Sequence, residues 1–170
     1  MTYVCRLSLN EERAPFEPTI WHLPSDSKTV LKQVWFPGTH SSVGGNDTDH
    51  DLSNIALVWM IQQVHDNTEL VVDEHYLDTS KVIAVTLKKP WGCADYESSD
   101  SGVWKIAGTQ ARTPNHYGSD TKESVHQCVE ARTDFNKGNP NPWTCPDITG
   151  MSSDLLGELE VNMKNKYPVE

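Results

Sequence analysis

Positive charge, long apolar runs and clustered cysteine are all scarce in this 170-residue chain. Fourteen lysines and arginines stand against 24 aspartates and glutamates, and the formal net charge of -10 repels phosphate backbones and anionic lipid surfaces. No nucleic-acid partner is expected. No uninterrupted apolar run nears the roughly 18 residues of a membrane span, so no transmembrane segment is expected. The opening MTYVCRLSLNEERAPF lacks the basic start and apolar core of a signal peptide. By these absences the expected compartment is cytoplasmic. Apolar residues make up 36%, and even with the ten glycines added the fraction stays below the roughly 45–50% of ordinary globular domains. The chain reads as one that leans on something it lacks.

Cys5, Cys93, Cys128 and Cys145 lie too far apart for C-x-x-C or a Cys/His metal pattern, so neither a metal nor a disulfide is expected. Asp47, Asp49 and Asp51 start like a calcium loop. The sixth position is then Leu52 instead of glycine and the twelfth Val58 instead of glutamate, which leaves a solvated acidic loop. His50 and His65 have no metal-ligand spacing, and Asn46-Asp47-Thr48 is read as a loop rather than a glycosylation site. No internal repeat or low-complexity tract occurs.

The length suits one domain. Residues 1–28, interrupted by Pro15, Pro18 and Pro24, read as extended connections pinned by Phe16, Ile20 and Trp21. TVLKQVWF, residues 29–36, mixes β-branched and aromatic residues and predicts a strand that ends at Pro37. DLSNIALVWMIQQVHD places Leu52, Ile55, Ala56, Trp59, Met60 and Gln63 on one stripe and predicts a helix buried nearly all round, with Ser53 or Asp51 as N-cap. A further strand is expected at 82–87, and an irregular excursion at 90–115 anchored by Trp91 and Trp104. Amphipathic helices are expected at 122–133 and 153–164, joined by the linker NKGNPNPWTCPDITG.

Between the first strand and the long helix lies QVWFPGTHSSVGG, which releases His40 into a loop of small residues at the carboxyl edge of a sheet. Open α/β folds place ligands there. Gly38, Gly44 and Gly45 allow close backbone approach, and Ser41 and Ser42 offer hydroxyls. His40 is then either a general base or a histidine satisfied by loop carbonyls. As a base it needs a serine nucleophile. In α/β-hydrolases the serine precedes the acid and the histidine, yet no G-x-S-x-G occurs before residue 40 or anywhere in the chain.

QVWFPGTHSSVGG followed by LSNIALVWMIQQ resembles the catalytic-domain family of type VI secretion phospholipase effectors and its fungal-type relatives. Upstream, CRLSLNEERAPFEPTIW is similar to the family's HALSLDERRxxFxPxxW. Downstream, ELVVDEHYL, PWG, RTPNHY and ESVHQCVEAR extend the similarity over about residues 5–135. The resemblance implies an α/β-hydrolase-like three-layer fold, of which this chain carries the C-terminal part. It implies ester or phospholipid hydrolysis by a Ser-Asp-His triad, with no metal or organic cofactor. His40 matches the family's histidine in F-P-G-x-H. The family's nucleophile segment, G-x-S-R-G-A, lies upstream of this motif. Ser42 stands where the family usually has aspartate, and Cys5 and Asn10 where it has histidine and aspartate.

The division that follows is 1–135 as the C-terminal portion of a hydrolase-like catalytic domain and 136–170 as linker and C-terminal helix. The expected function is that of a serine esterase or phospholipase fragment, inactive alone, acting on a lipid or other ester once completed. Its rival is a binding module derived from the same fold. A third reading makes Cys93, Cys128 or another residue a nucleophile with His40 or His126. For Arg112, Pro114, Tyr117, His126 and Arg132, which also match family positions, structural roles are expected: the arginines tie the excursion to acidic neighbours and His126 packs or caps.

Overall fold

The strand promised by TVLKQVWF forms over Val30–Phe36, here β2, with five of its seven residues buried, as suits a strand covered on both faces. Its neighbour β1, Thr2–Ser8, runs parallel to it in a register that pairs Thr2 with Val30 and Ser8 with Phe36. The structure, a computed structural model, describes residues 1–47, 49–73, 89–96, 98–99, 104, 106, 108–137 and 143–165. The irregular reading of residues 1–28 therefore missed a strand. Only Leu7 of β1 is buried, so its apolar signal is weak and pairing with β2 decides its conformation.

Residues 9–29 cross to β2 without an α-helix, and Gln33 satisfies part of that irregular backbone. Its buried side chain accepts the Trp21 N–H at 2.9 Å and donates to the carbonyls of Trp21 and Thr121 at 2.9 and 2.6 Å. Two more parallel strands complete the order β1-β2-β3-β4: β3 at Glu123–His126 and β4 at Ser152–Asp154.

Both strands displace helix that the sequence pattern predicts. The helix expected over 122–133 starts only at Gln127 and runs to Phe135, because residues 123–125 pair with 33–35 of β2. Lys122, with φ +52, breaks the chain just before. The helix expected over 153–164 is likewise β4 and then Glu158–Lys164. The strand expected at 82–87 lies outside the described residues.

Between β2 and β3 the chain forms a short helix α1, His40–Gly44, and the long α2, Asp51–Asn67. The later helices are α3, Gln127–Phe135, and α4, Glu158–Lys164. The N-cap position of α2 is His50, one residue before the predicted Asp51. Asp49 Oδ1 accepts the Asp51 N–H at 3.1 Å, and the Ser53 hydroxyl donates to the His50 carbonyl. Leu57 is 38% exposed, so α2 is buried on a broad face and not all round.

That face and α4 cover one side of the sheet, where Val34, Phe36, Ile55, Ala56, Trp59, Trp91, Cys128 and Met163 form one core. Phe36 meets Trp59 edge-on at 5.4 Å, an arrangement that adds about 0.5–1.5 kcal/mol to simple burial. The Trp59 indole donates to Asp154 Oδ2 at 2.6 Å and Lys32 pairs with the other oxygen at 2.9 Å, locking α2, β2 and β4 together. On the other side Leu7, Leu9, Trp35, Val125 and Val129 are covered by irregular chain carrying Ile20, Trp143, Cys145, Ile148 and Met151. The fold is α/β, with a four-stranded parallel sheet and helices among the described residues, and the parallel direction brings the exits of β1, β2 and β3 to one edge.

Candidate functional site

At that edge β2 ends on Pro37 and Gly38. Gly38 has φ +100, and a Cβ there would stand 2.6 Å from the Ser42 Cβ, so only glycine fits. Its N–H donates to Asn10 Oδ1 at 2.9 Å. Ser42 is 1% exposed; its Oγ accepts the Thr39 N–H at 3.0 Å and lies 3.0 Å from the Thr39 hydroxyl, bracing the first turn of α1. Its hydroxyl is therefore turned to the backbone, while Ser41 is half-buried and its carbonyl accepts the N–H of Gly45 at 2.8 Å. Gly45, φ +97, closes the turn, and Gly44 has open space beside it.

His40 is the first residue of α1, and its side chain is exposed. Its ring meets Phe16 edge-on, centroids 5.3 Å apart. Its backbone N–H donates to Glu11 Oε2 at 3.1 Å. Among the described residues neither ring nitrogen has a hydrogen-bond partner, so no loop carbonyl takes up the imidazole and no carboxylate orients it. Asp26 lies in the turn before β2, at the opposite end of a seven-residue strand and thus roughly 20 Å away.

Glu11, to which the sequence reading assigned no role, is the fixed point beneath His40. It is 1% exposed and accepts from the Arg13 N–H and Nε at 2.9 and 2.8 Å, from Arg13 Nη2 at 2.8 Å, and from the His40 N–H. Burial opposes its charge. The hydrogen bonds from the Arg13 side chain, the Arg13 and His40 backbone and Ser99 outweigh that and hold its carboxyl down to about 2. Arg13 in turn lies over the Phe16 ring at 3.9 Å. A Glu-x-Arg pair just past a strand end was the available signal, and Arg13 and Phe16 sit in the same quoted stretch.

Asn10 links the loop to two cavities. Besides Gly38 it accepts the Trp143 indole N–H at 3.0 Å, and its Nδ2 donates to the Thr144 carbonyl at 3.1 Å. A cavity of about 320 Å³ is lined by Asn10, Glu12, Lys89, Tyr96, Arg132 and Trp143 among others. A second, about 570 Å³, shares Asn10, Glu12, Tyr96 and Trp143 with it and continues past Arg112, Pro114 and His116. His40 lines neither.

Residues 2–63 match the family model described as T6SS, Phospholipase effector Tle1-like, catalytic domain. This stretch is Tle1-like. It runs from β1 through the Glu11 and His40 positions to the last turn of α2, so the downstream similarities quoted above lie beyond the matched residues. No curated protein and no solved structure matches the chain.

Beyond the Tle1-like stretch, Arg112 and Arg132 tie the excursion down, and among the described residues their hydrogen bonds go to carbonyls and not to carboxylates. Arg112 Nη2 donates to the carbonyls of Arg13 and Phe16 at 3.2 and 2.8 Å, which seats the turn carrying Phe16 under His40. Trp91 is buried as an anchor, whereas Trp104 is 38% exposed. Pro114 is buried and Tyr117 half-buried.

His126 both packs and caps. It is fully buried, stacks on Phe36 at 4.5 Å and precedes α3 as its N-cap. Nδ1 accepts the Cys128 N–H at 3.3 Å and lies 2.9 Å from Cys128 Sγ, which leaves Nε2 to donate to Glu160 Oε1 at 2.7 Å. The order thiol, imidazole, carboxylate matches a thiol hydrolase, but it is shut inside the core, where burial pushes the Cys128 thiol well above its ordinary value. Among the described residues no three His, Cys, Asp or Glu side chains could hold a metal ion, and no helix is long and apolar enough to cross a membrane.

Proposed function

We propose that the chain carries the general-base loop of a serine hydrolase acting on phospholipids or related acyl esters, with His40 as the base. The observation that carries this is one side chain. Within the Tle1-like stretch, at the carboxyl edge of a parallel sheet, an exposed imidazole with both ring nitrogens uncommitted rides on a loop whose backbone is held from below. A histidine so presented takes the proton of a serine hydroxyl as it attacks the ester carbonyl. It then returns that proton to the leaving alcohol, a contribution worth about 10²–10⁴-fold.

The other residues of the loop position this base. Glu11 and Asn10 pin the backbone of His40 and Gly38, Ser42 braces the turn, and Phe16 limits the ring's swing. No G-x-S-x-G occurs in the 170 residues, so in this reading the nucleophile, the oxyanion donors and the carboxylate that orients His40 come from outside them. The test is hydrolysis of a short-chain nitrophenyl ester by the longest in-frame product containing these residues, with and without His40→Ala. A loss of about 10²–10⁴-fold is expected, and undiminished hydrolysis by the variant refutes the role of His40.

Binding without turnover is the second reading, and one observation favours it: both cavities are lined by this chain's own residues, and His40 lies outside them. Its signature is a 170-residue chain that unfolds cooperatively by itself, with no hydrolysis by the longer product.

A further inference from the structure

Arg132 is a buried cation that uses less than half of its hydrogen-bonding capacity. It projects from α3, is 5% exposed, and its guanidinium lies 5.2 Å from the ring centres of both Tyr96 and Trp143. Nη1 donates to the carbonyls of Gly92 and Ala94 at 2.8 and 2.7 Å. Nε and Nη2 donate to no described residue, and no carboxylate forms an ion pair with Arg132 among the described residues. Nε is sealed without a partner, Nη2 is unpartnered but not sealed, and Arg132 lines the 320 Å³ cavity. Of the other charges lining that cavity, Asp95 is held by Lys89 at 2.6 Å, and Glu12 is a single further carboxylate that forms no ion pair with Arg132 among the described residues.

A buried Nε–H without an acceptor is costly. The two uncommitted nitrogens are also the pair that makes one edge of the guanidinium fork. Nε–H and the neighbouring Nη2–H point in parallel, the spacing that matches two oxygens of a carboxylate or phosphate. With its Nη1 tied to two carbonyls and its faces flanked by rings, Arg132 is held rigid for such a contact.

We propose that this cavity is an oxyanion-binding site, in which Arg132 takes a phosphate or carboxylate group of a small ligand through Nη2 and Nε. Entry to Nε requires a small displacement of the side chains that cover it. The inference is independent of His40 and of ester hydrolysis, since it stands on Arg132 and its cavity alone.

The chain has four arginines, at positions 6, 13, 112 and 132, so its arginine Nε–H signals can be followed one by one in a nitrogen-edited NMR titration. Inorganic phosphate is added to the 170-residue chain at constant ionic strength. The expected result is a saturable shift of Arg132 Nε–H while Arg13 Nε–H, already bonded to Glu11, stays in place. Arg132→Lys keeps the charge and removes the fork, and is expected to weaken phosphate binding at least tenfold; should that variant lose its fold, the wild-type titration decides alone. A short-chain phosphatidylcholine below its micellar concentration that competes at Arg132 marks a lipid headgroup as the source of the oxyanion, and competition by phosphate alone marks a free anion. No saturable shift at Arg132, a shift that chloride reproduces, or equal binding by Arg132→Lys overturns the proposal.

Discussion

Replacing Glu11 by glutamine tests the frame beneath His40 without changing the size of the side chain. The carboxylate accepts from Arg13 N and Nε on one oxygen and from Arg13 Nη2 and His40 N on the other. The amide turns one acceptor into a donor that faces two N–H groups, and it leaves Arg13 without its counter-charge. The folded carboxyl is held down from 4.5 to about 2, which sets a ceiling of about 3 kcal/mol on its contribution at neutral pH. Water reaching Arg13, whose side chain is 13% exposed, trims this to about 2 kcal/mol.

The sign follows from the direction of the shift. A carboxyl depressed in the folded state contributes its stability above the unfolded value and loses it as pH falls from about 4.5 towards 2. Urea unfolding followed by tryptophan fluorescence is therefore expected to separate wild type from Glu11→Gln by about 1–2 M at pH 7, with the gap closing near pH 2. A gap that is absent at pH 7, or unchanged between pH 7 and pH 2.5, refutes the argument.

Gly38→Ala forces a Cβ against Ser42 at a φ that disfavours side chains, so a loss of about 1–3 kcal/mol is expected in the same unfolding assay. His126→Ala opens a cavity beside Phe36 and strands the Glu160 carboxylate in the core, with an expected cost of about 3–5 kcal/mol by denaturant midpoint. Cys128 is expected to resist alkylation in the folded chain and to react only on the timescale of unfolding, which mass spectrometry of timed iodoacetamide samples measures.

Elements whose pattern is local were legible in the residues. The β-branched and aromatic run of β2, the proline and glycine that stop it, and the apolar stripe of α2 each state their structure over a few residues. The other three strands were not legible. β1 buries one residue, β3 is four residues long and β4 three, so their conformation depends on a ladder to a neighbour far along the chain. Helical spacing in ESVHQCVEAR is real, but pairing with β2 claims its first residues as strand.

The site divides along the same line. The sequence by itself determined that a histidine follows a strand in a glycine-bearing stretch, that no G-x-S-x-G lies within these 170 residues, and that the charge is strongly acidic, because each is a property of residue types in order, whereas the expected loop at His40 is the first turn of α1. Only the tertiary structure decided that Glu11 and Asn10 lie under that loop, that Ser42 turns to the backbone, and that Arg132 donates to the carbonyls of Gly92 and Ala94. Those facts depend on parallel pairing that brings the exits of β1, β2 and β3 to one edge, so residues some 30 to 130 positions apart share hydrogen bonds that no local spacing encodes.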